Sequence, residues 1–272
     1  MGPELQQAVT ELYAAFADYP RPAFIEGCEC CWGGDGALQL HEGEVRGSVR
    51  VPAPGGSRPL HALAPTEISN VAAEVPFTGG TLEVFKHYLP RIFEIAAGDG
   101  FDWPDLEVVV ERINLDEKVG CRPWAQWPQD EQAALRRFLR ALWRERLANE
   151  APDDDGCAVD AALCAVALVE PTLEWYLEEW LRFDRPAVSL NFERFLQRNL
   201  RSIAKGKIGN AFWHTDSATA NANSGELMAW IKSEQTLQSV GDAAERARTP
   251  AEREALEECF LRWLPACAGP SY

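Results

Sequence analysis

Apolar residues recur every three or four positions along most of this chain, a period that fits one buried face of an α-helix and little else. Residues 4–17 place Leu5, Val9, Leu12, Tyr13 and Phe16 on one side and stop before Pro20 and Pro22. Residues 66–75 read as a short helix. From Thr81 to Ala97 the stripe is Leu82, Phe85, Leu89, Ile92, Phe93 and Ala96, and Pro90, which has no amide hydrogen, predicts a kink there. Further helices are expected over 105–115, 128–149, 157–169, 171–183 and 186–205. The strongest is 128–149. Pro128 suits a first turn, Asp130 and Glu131 favour the positive helix end, and Leu135, Phe138, Leu139, Leu142 and Leu147 form the buried row. Asn223-Ser224-Gly225-Glu226 reads as a capping box opening a helix through Ser239, and Thr249-Pro250 opens a last one.

These patterns predict an all-α fold of about ten helices stacked as antiparallel pairs in a solenoid-like or irregular bundle. The stretch 20–65 departs from the period. It is rich in Gly and Pro and reads as an irregular, cysteine-bearing loop region with at most a short hairpin turning near Glu42-Gly43. The chain is expected to form one helical domain over 1–272. Pro152-Asp153-Asp154-Asp155-Gly156 would be a solvated joint near 150–157, separating an N-terminal part (1–150) from a C-terminal helical part (157–272).

Chemistry is concentrated in Cys28-Glu29-Cys30-Cys31, followed by Trp32-Gly33-Gly34. Three thiols in four positions cannot all be buried on one face. Cys28 and Cys31 have the two-residue spacing that lets both thiolates reach one tetrahedral zinc, with Cys30, His41 and His61 as further candidate ligands. A thioredoxin-like redox centre fits less well. That motif ends a strand and opens a helix, whereas a proline-rich loop is expected here before Cys28. Glu26, Glu29 and Asp35 should raise nearby thiol pKa values, which disfavours nucleophilic catalysis by these cysteines.

Other sites are less specific. Arg194, Arg198, Arg201 and Lys205 fall three or four apart, a basic ridge that would pair with acidic helices or hold a small anion. His214-Thr215-Asp216-Ser217 contains the letters of a hydrolase triad. It lacks the Gly-x-Ser-x-Gly elbow, and an inter-helix loop is the plainer reading. Nucleotide, P-loop, metalloprotease and calcium-loop motifs are missing, so an enzyme is disfavoured. Of ten tryptophans, Trp143, Trp175, Trp180, Trp213, Trp230 and Trp263 fall at helical positions and are expected mostly in core.

Twenty-six Lys and Arg against 42 Asp and Glu give −16. A surface that acidic repels nucleic acid and anionic lipid, and it favours either basic partners or plain solubility. No signal peptide or spanning stretch is legible, which predicts a cytoplasmic protein. The leading functional expectation is a non-enzymatic, acidic protein-binding protein, an immunity-type inhibitor that neutralises a basic toxin or nuclease. The alternatives are a zinc-stabilised or redox- and metal-sensing module built on Cys28 to Cys31, and a hydrolase using the His214–Ser217 loop.

Phe85-x-x-Tyr88-Leu89-Pro90-Arg91-Ile92-Phe93-Glu94, Trp124-x-x-Trp127-x-x-x-Glu131 and the helix ending in Tyr19-Pro20 resemble a family of bacterial all-helical proteins with a Cys-x-x-Cys loop near the N-terminus. Cys28 and Cys31 match that pair, and Cys30 between them departs from it. The resemblance covers most of residues 10–185. It implies the fold class and a bacterial origin, and no activity or catalytic residue.

Overall fold

A computed structural model describes residues 1–33, 38–39, 48–114, 123–148, 157–182, 186–214, 218–247, 249–251, 253–254, 256–258 and 261. The fold is mostly helical. In the first half of the chain the helices are α1 (Pro3–Ala15), α2 (Glu29–Trp32), α3 (Pro65–Glu74), α4 (Leu82–Ala97) and α5 (Leu106–Glu111). They continue with α6 (Gln129–Ala148), α7 (Cys157–Val169), α8 (Glu174–Arg182), α9 (Pro186–Ile203), α10 (Ala218–Ile231) and α11 (Glu234–Glu245). The described residues after Thr249 are helical too. Three short strands, β1 (Phe24–Cys28), β2 (Leu38–Gln39) and β3 (Ser48–Pro52), form an antiparallel sheet in the order β1-β3-β2. By its contacts the chain divides into two compact units, Met1–Phe138 and Leu139–Tyr272, the division falling inside α6.

In the first unit α4 is the hub, with α1 and α3 packed on it and α5 packed on α3. The apolar stripes explain this. Leu5, Val9, Leu12 and Phe16 of the first segment and Phe85, Leu89, Ile92 and Phe93 of α4 are buried, as expected for stripes facing a core. Thr81 caps α4 by accepting the Val84 amide. At α3, Pro65 fills the first turn and the Glu67 carboxylate takes the Ala64 amide at 2.8 Å.

Among the described residues of 20–65 there is more regular structure than the sequence predicts. Leu38 and Gln39 pair with Arg50 and Val49, so an antiparallel hairpin is present, while its connecting residues lie outside those described. Phe24–Cys28, expected as loop, is a strand whose whole length pairs with β3, from Phe24 opposite Pro52 to Cys28 opposite Ser48. Its inward side chain is Ile25 and its second inward position is Gly27. One apolar side chain is too little to register as alternation, and main-chain pairing makes the strand.

In the second unit α7 is buried nearly all round: Val159, Leu163, Cys164, Val166, Leu168 and Val169 are each in the core. A helix apolar on every face has to be central, and α9 and α10 both pack on it. In the same unit, aromatic rings meet edge to face, Trp180 with Trp143, Phe192 and Phe195, at centroid separations of 5.1, 5.3 and 5.6 Å.

The capping box expected at residues 223–226 is not a helix start. α10 begins at Ala218 and runs through these residues, and the break comes later, where the Ser233 hydroxyl accepts the Thr236 amide and opens α11. The capping side chains serve a neighbouring segment instead of their own backbone. The buried Asn223 amide donates to the carbonyls of Ala167 and Glu170 at 2.9 and 2.8 Å, closing the C-terminal end of α7. The Glu226 carboxylate accepts from the Thr172 hydroxyl at 2.9 Å and the Leu173 amide at 3.0 Å, ahead of α8. Asn223→Ala removes both of these buried hydrogen bonds and is expected to cost about 2–4 kcal/mol, readable as a lower urea midpoint with an unchanged slope.

Candidate metal centre

Cys28 ends β1 and is the N-cap residue of α2, and Gly33 closes that turn with its amide 2.7 Å from the Glu29 carbonyl. The thiols therefore sit on a strand-to-helix turn, which corrects the proline-rich loop expected from the sequence. The sheet around them is antiparallel, so the turn still lacks the crossover of a thioredoxin-like unit.

The turn is held on several sides. The residues after α3 run along the free edge of β1, where the Cys28 amide donates to the Thr78 carbonyl at 2.9 Å and the Gly80 amide to the Glu26 carbonyl at 2.7 Å. Beneath it lies the buried Trp32 ring, whose indole N–H donates to the Thr78 hydroxyl at 3.2 Å; that hydroxyl in turn donates to Glu74 at 2.7 Å. The Asn70 amide reaches the Cys31 carbonyl at 3.3 Å. The ring fits only because Gly27 and Gly79 face it: a Cβ would stand 2.3 Å from the Trp32 ring at Gly27 and 2.7 Å from its nitrogen at Gly79.

On this support the Cys28 and Cys30 sulfurs are 3.1 Å apart and those of Cys30 and Cys31 3.6 Å, with all three within 4.8 Å of one another. Cys30 is exposed and the other two are half-buried. Hydrogen bonds from Cys30 and then Cys31 hold the Cys28 thiol below the usual cysteine range, with a smaller backbone contribution at Cys31. The same sharing pushes Cys31 up to about 12, because Cys28 and then Cys30 favour its protonated form. The expectation that local carboxylates would raise all these thiols is not met at Cys28, where hydrogen bonds from the neighbouring thiols outweigh desolvation.

Three soft donors in a triangle suit a thiophilic ion. Two sulfurs bound tetrahedrally to one zinc at about 2.3 Å stand roughly 3.8 Å apart; Cys30 and Cys31 are near that value and Cys28 and Cys30 are closer, so binding an ion would spread the latter pair. Cys28, Cys30 and Cys31 can thus hold a metal ion on one face. His41 lies outside the described residues. His61 is exposed on a 3-10 turn, Leu60–Ala62, and is not in the thiol group.

The remaining sequence candidates are dispersed. Arg194, Arg198 and Arg201 lie on α9, and Lys205 follows its end. The Arg198 guanidinium is 4.0 Å from the buried carboxylate of Asp160 on α7. The side chain of His214 and residues 215–217 lie outside the described set. Trp143, Trp180 and Trp213 are core, Trp175 and Trp230 half-buried, and Trp103 is 55% exposed.

Sequence reasoning missed a buried polar cluster in the first unit. Lys86 of α4 and Glu131 of α6, each 3% exposed, form an ion pair at 2.5 Å. The Tyr19 hydroxyl donates to the second Glu131 oxygen at 2.5 Å and accepts from Lys86 at 3.0 Å. The Lys86 ammonium also lies over the Trp127 ring, 4.1 Å from its centroid. The neighbouring His87 ring nitrogen meets the Tyr19 carbonyl at 2.8 Å, and burial lowers its pKa. A signal was present. Lys86 falls on the Leu82–Leu89–Phe93 stripe, and Glu131 on the Leu135–Phe138 stripe: two opposite charges on faces that must be buried.

No family model, curated protein or solved structure matches the chain, so the reading of the site rests on its geometry.

Two outcomes follow from these contacts. Gly27→Ala displaces the Trp32 ring and is expected to cost about 1–3 kcal/mol while disordering the thiol turn; faster modification of the thiols by a disulfide reagent reads this. Glu131→Gln strands a buried ammonium and should cost about 3–5 kcal/mol, whereas Lys86→Met with Glu131→Leu recovers much of it; thermal and urea unfolding of the single and double variants compare them.

Proposed function

We propose that the first unit is a metal-binding module in which Cys28, Cys30 and Cys31 supply three thiolates to a zinc ion, as a structural or metal-sensing element. The sulfur triangle, with all three atoms within 4.8 Å, carries this reading. The chain's own residues do the preparation. β1 and its partners fix Cys28, the Asn70 contact fixes the Cys31 backbone, and Trp32 seals the turn from below. Zinc bound there would tie the end of β1 to α2. Its fourth position would go to a donor from outside the trio.

Binding requires the thiols to lose protons, so affinity should fall as pH is lowered. Titration with zinc, and with cobalt for its thiolate charge-transfer absorption, is expected to give one ion per chain. Cys28→Ser, Cys30→Ser and Cys31→Ser should each weaken binding by at least about tenfold. A chain that takes up no ion, or single serine variants that bind as wild type does, would overturn the assignment.

A second reading is that this acidic protein binds and neutralises a basic protein. The excess of 42 acids over 26 bases supports it. Capture of a basic polypeptide from native extract at low salt, released as salt is raised, is the expected result; capture of none removes it.

A further inference from the structure

Within the second unit, α8, α10 and the start of α11 line an open cleft of about 460 Å³. Trp230 forms part of its wall, with the carboxylates of Glu174, Glu178 and Glu226 and the guanidinium of Arg182. The Trp230 ring is fixed from behind: Trp180 stacks on it with centroids 5.5 Å apart and planes 27° apart, and Phe192 meets it edge to face at 5.4 Å.

Several of this protein's tryptophans carry one of its own cations. Lys86 sits over Trp127, Arg136 over Trp124, and Arg140 and Arg144 over Trp175 at 4.8 and 5.1 Å. Among the described residues, Trp230 has none. The one base in the cleft is turned to carboxylates, its guanidinium 2.8 Å from Glu178 and 3.9 Å from Glu179. Glu226 receives the Thr172 hydroxyl and the Leu173 amide. Three carboxylates against one guanidinium leave the cleft negative beside an aromatic face. That is a pairing an organic cation prefers, with the ring quadrupole on one side and carboxylate acceptors on the other.

We propose that this cleft seats the guanidinium or ammonium of a basic side chain from a protein partner, stacked on Trp230 and hydrogen-bonded to Glu174 and Glu178. The site deepens the second reading above, naming a contact surface for a basic partner, and it rests on that reading. Glu226 is the positioning residue, since its bonds ahead of α8 hold the end of that helix beside α10.

The test uses the full chain with indole-labelled tryptophan, Trp230 being assigned from Trp230→Phe. The probes are a blocked pentapeptide with a central arginine, the same peptide with glutamine, and agmatine. The arginine peptide is expected to move the Trp230 indole resonance saturably, more weakly as salt rises, and to bind more tightly than agmatine. The exposed double variant Glu174→Gln with Glu178→Gln should melt as wild type does and bind the peptide at least about threefold more weakly. No shift, an equal shift with the glutamine peptide, or unchanged affinity in the double variant would overturn the site. Agmatine binding as tightly as the peptide would overturn the protein partner as occupant. Capture of a basic polypeptide that survives the double variant would leave the general reading standing and remove this cleft from it.

Discussion

The first unit depends on one buried contact between opposite charges. Lys86 and Glu131 come from helices far apart in sequence, and with Tyr19 they satisfy one another where water is excluded. Such a pair adds little net stability over an apolar replacement, because desolvating both charges offsets most of the attraction. What it does is join three segments: α4, the first turn of α6 and the Tyr19 turn meet at this one contact. Tyr19 also hands its carbonyl to His87, and Arg21 donates to the Gly56 carbonyl at 2.6 Å, so the chain enters β1 from a fixed point. The position of the cysteines is set from there.

The thiol turn shows how a small sheet can matter in a helical protein. β1 has few side-chain contacts of its own and is held by main-chain bonds on both edges, to β3 on one side and to residues 78–80 on the other. Gly27 and Gly79 give up side chains so that Trp32 can lie flat beneath the turn. The arrangement spends local packing on rigidity, which is what three closely spaced sulfur atoms need if they are to face one point.

The helices were legible because each carries a stripe the core must cover: the periods over 81–97 and 128–149 place α4 and α6 within a residue or two of their ends. Side chains with more than one use misled. Asn223 and Glu226 have the letters of a cap, but their partners are Ala167, Glu170, Thr172 and Leu173, more than fifty residues earlier. Local sequence cannot show so distant a bond. β1 was hidden because a strand held by its backbone leaves no side-chain pattern. The cysteine spacing made the thiol group readable, while the inequality between Cys28 and Cys31 depends on which sulfur donates to which, a property of the folded turn.

That the three sulfurs come from a single stretch of four residues has a thermodynamic side. Bringing them together closes almost no loop, so chain entropy opposes it only slightly, in the folded protein or out of it. An ion held by such a stretch has a competitor for its affinity in the denatured chain itself. Ligation would then stabilise the native state only by the difference between the two affinities, a difference that Trp32, Asn70 and the strand bonds holding the triangle would have to supply.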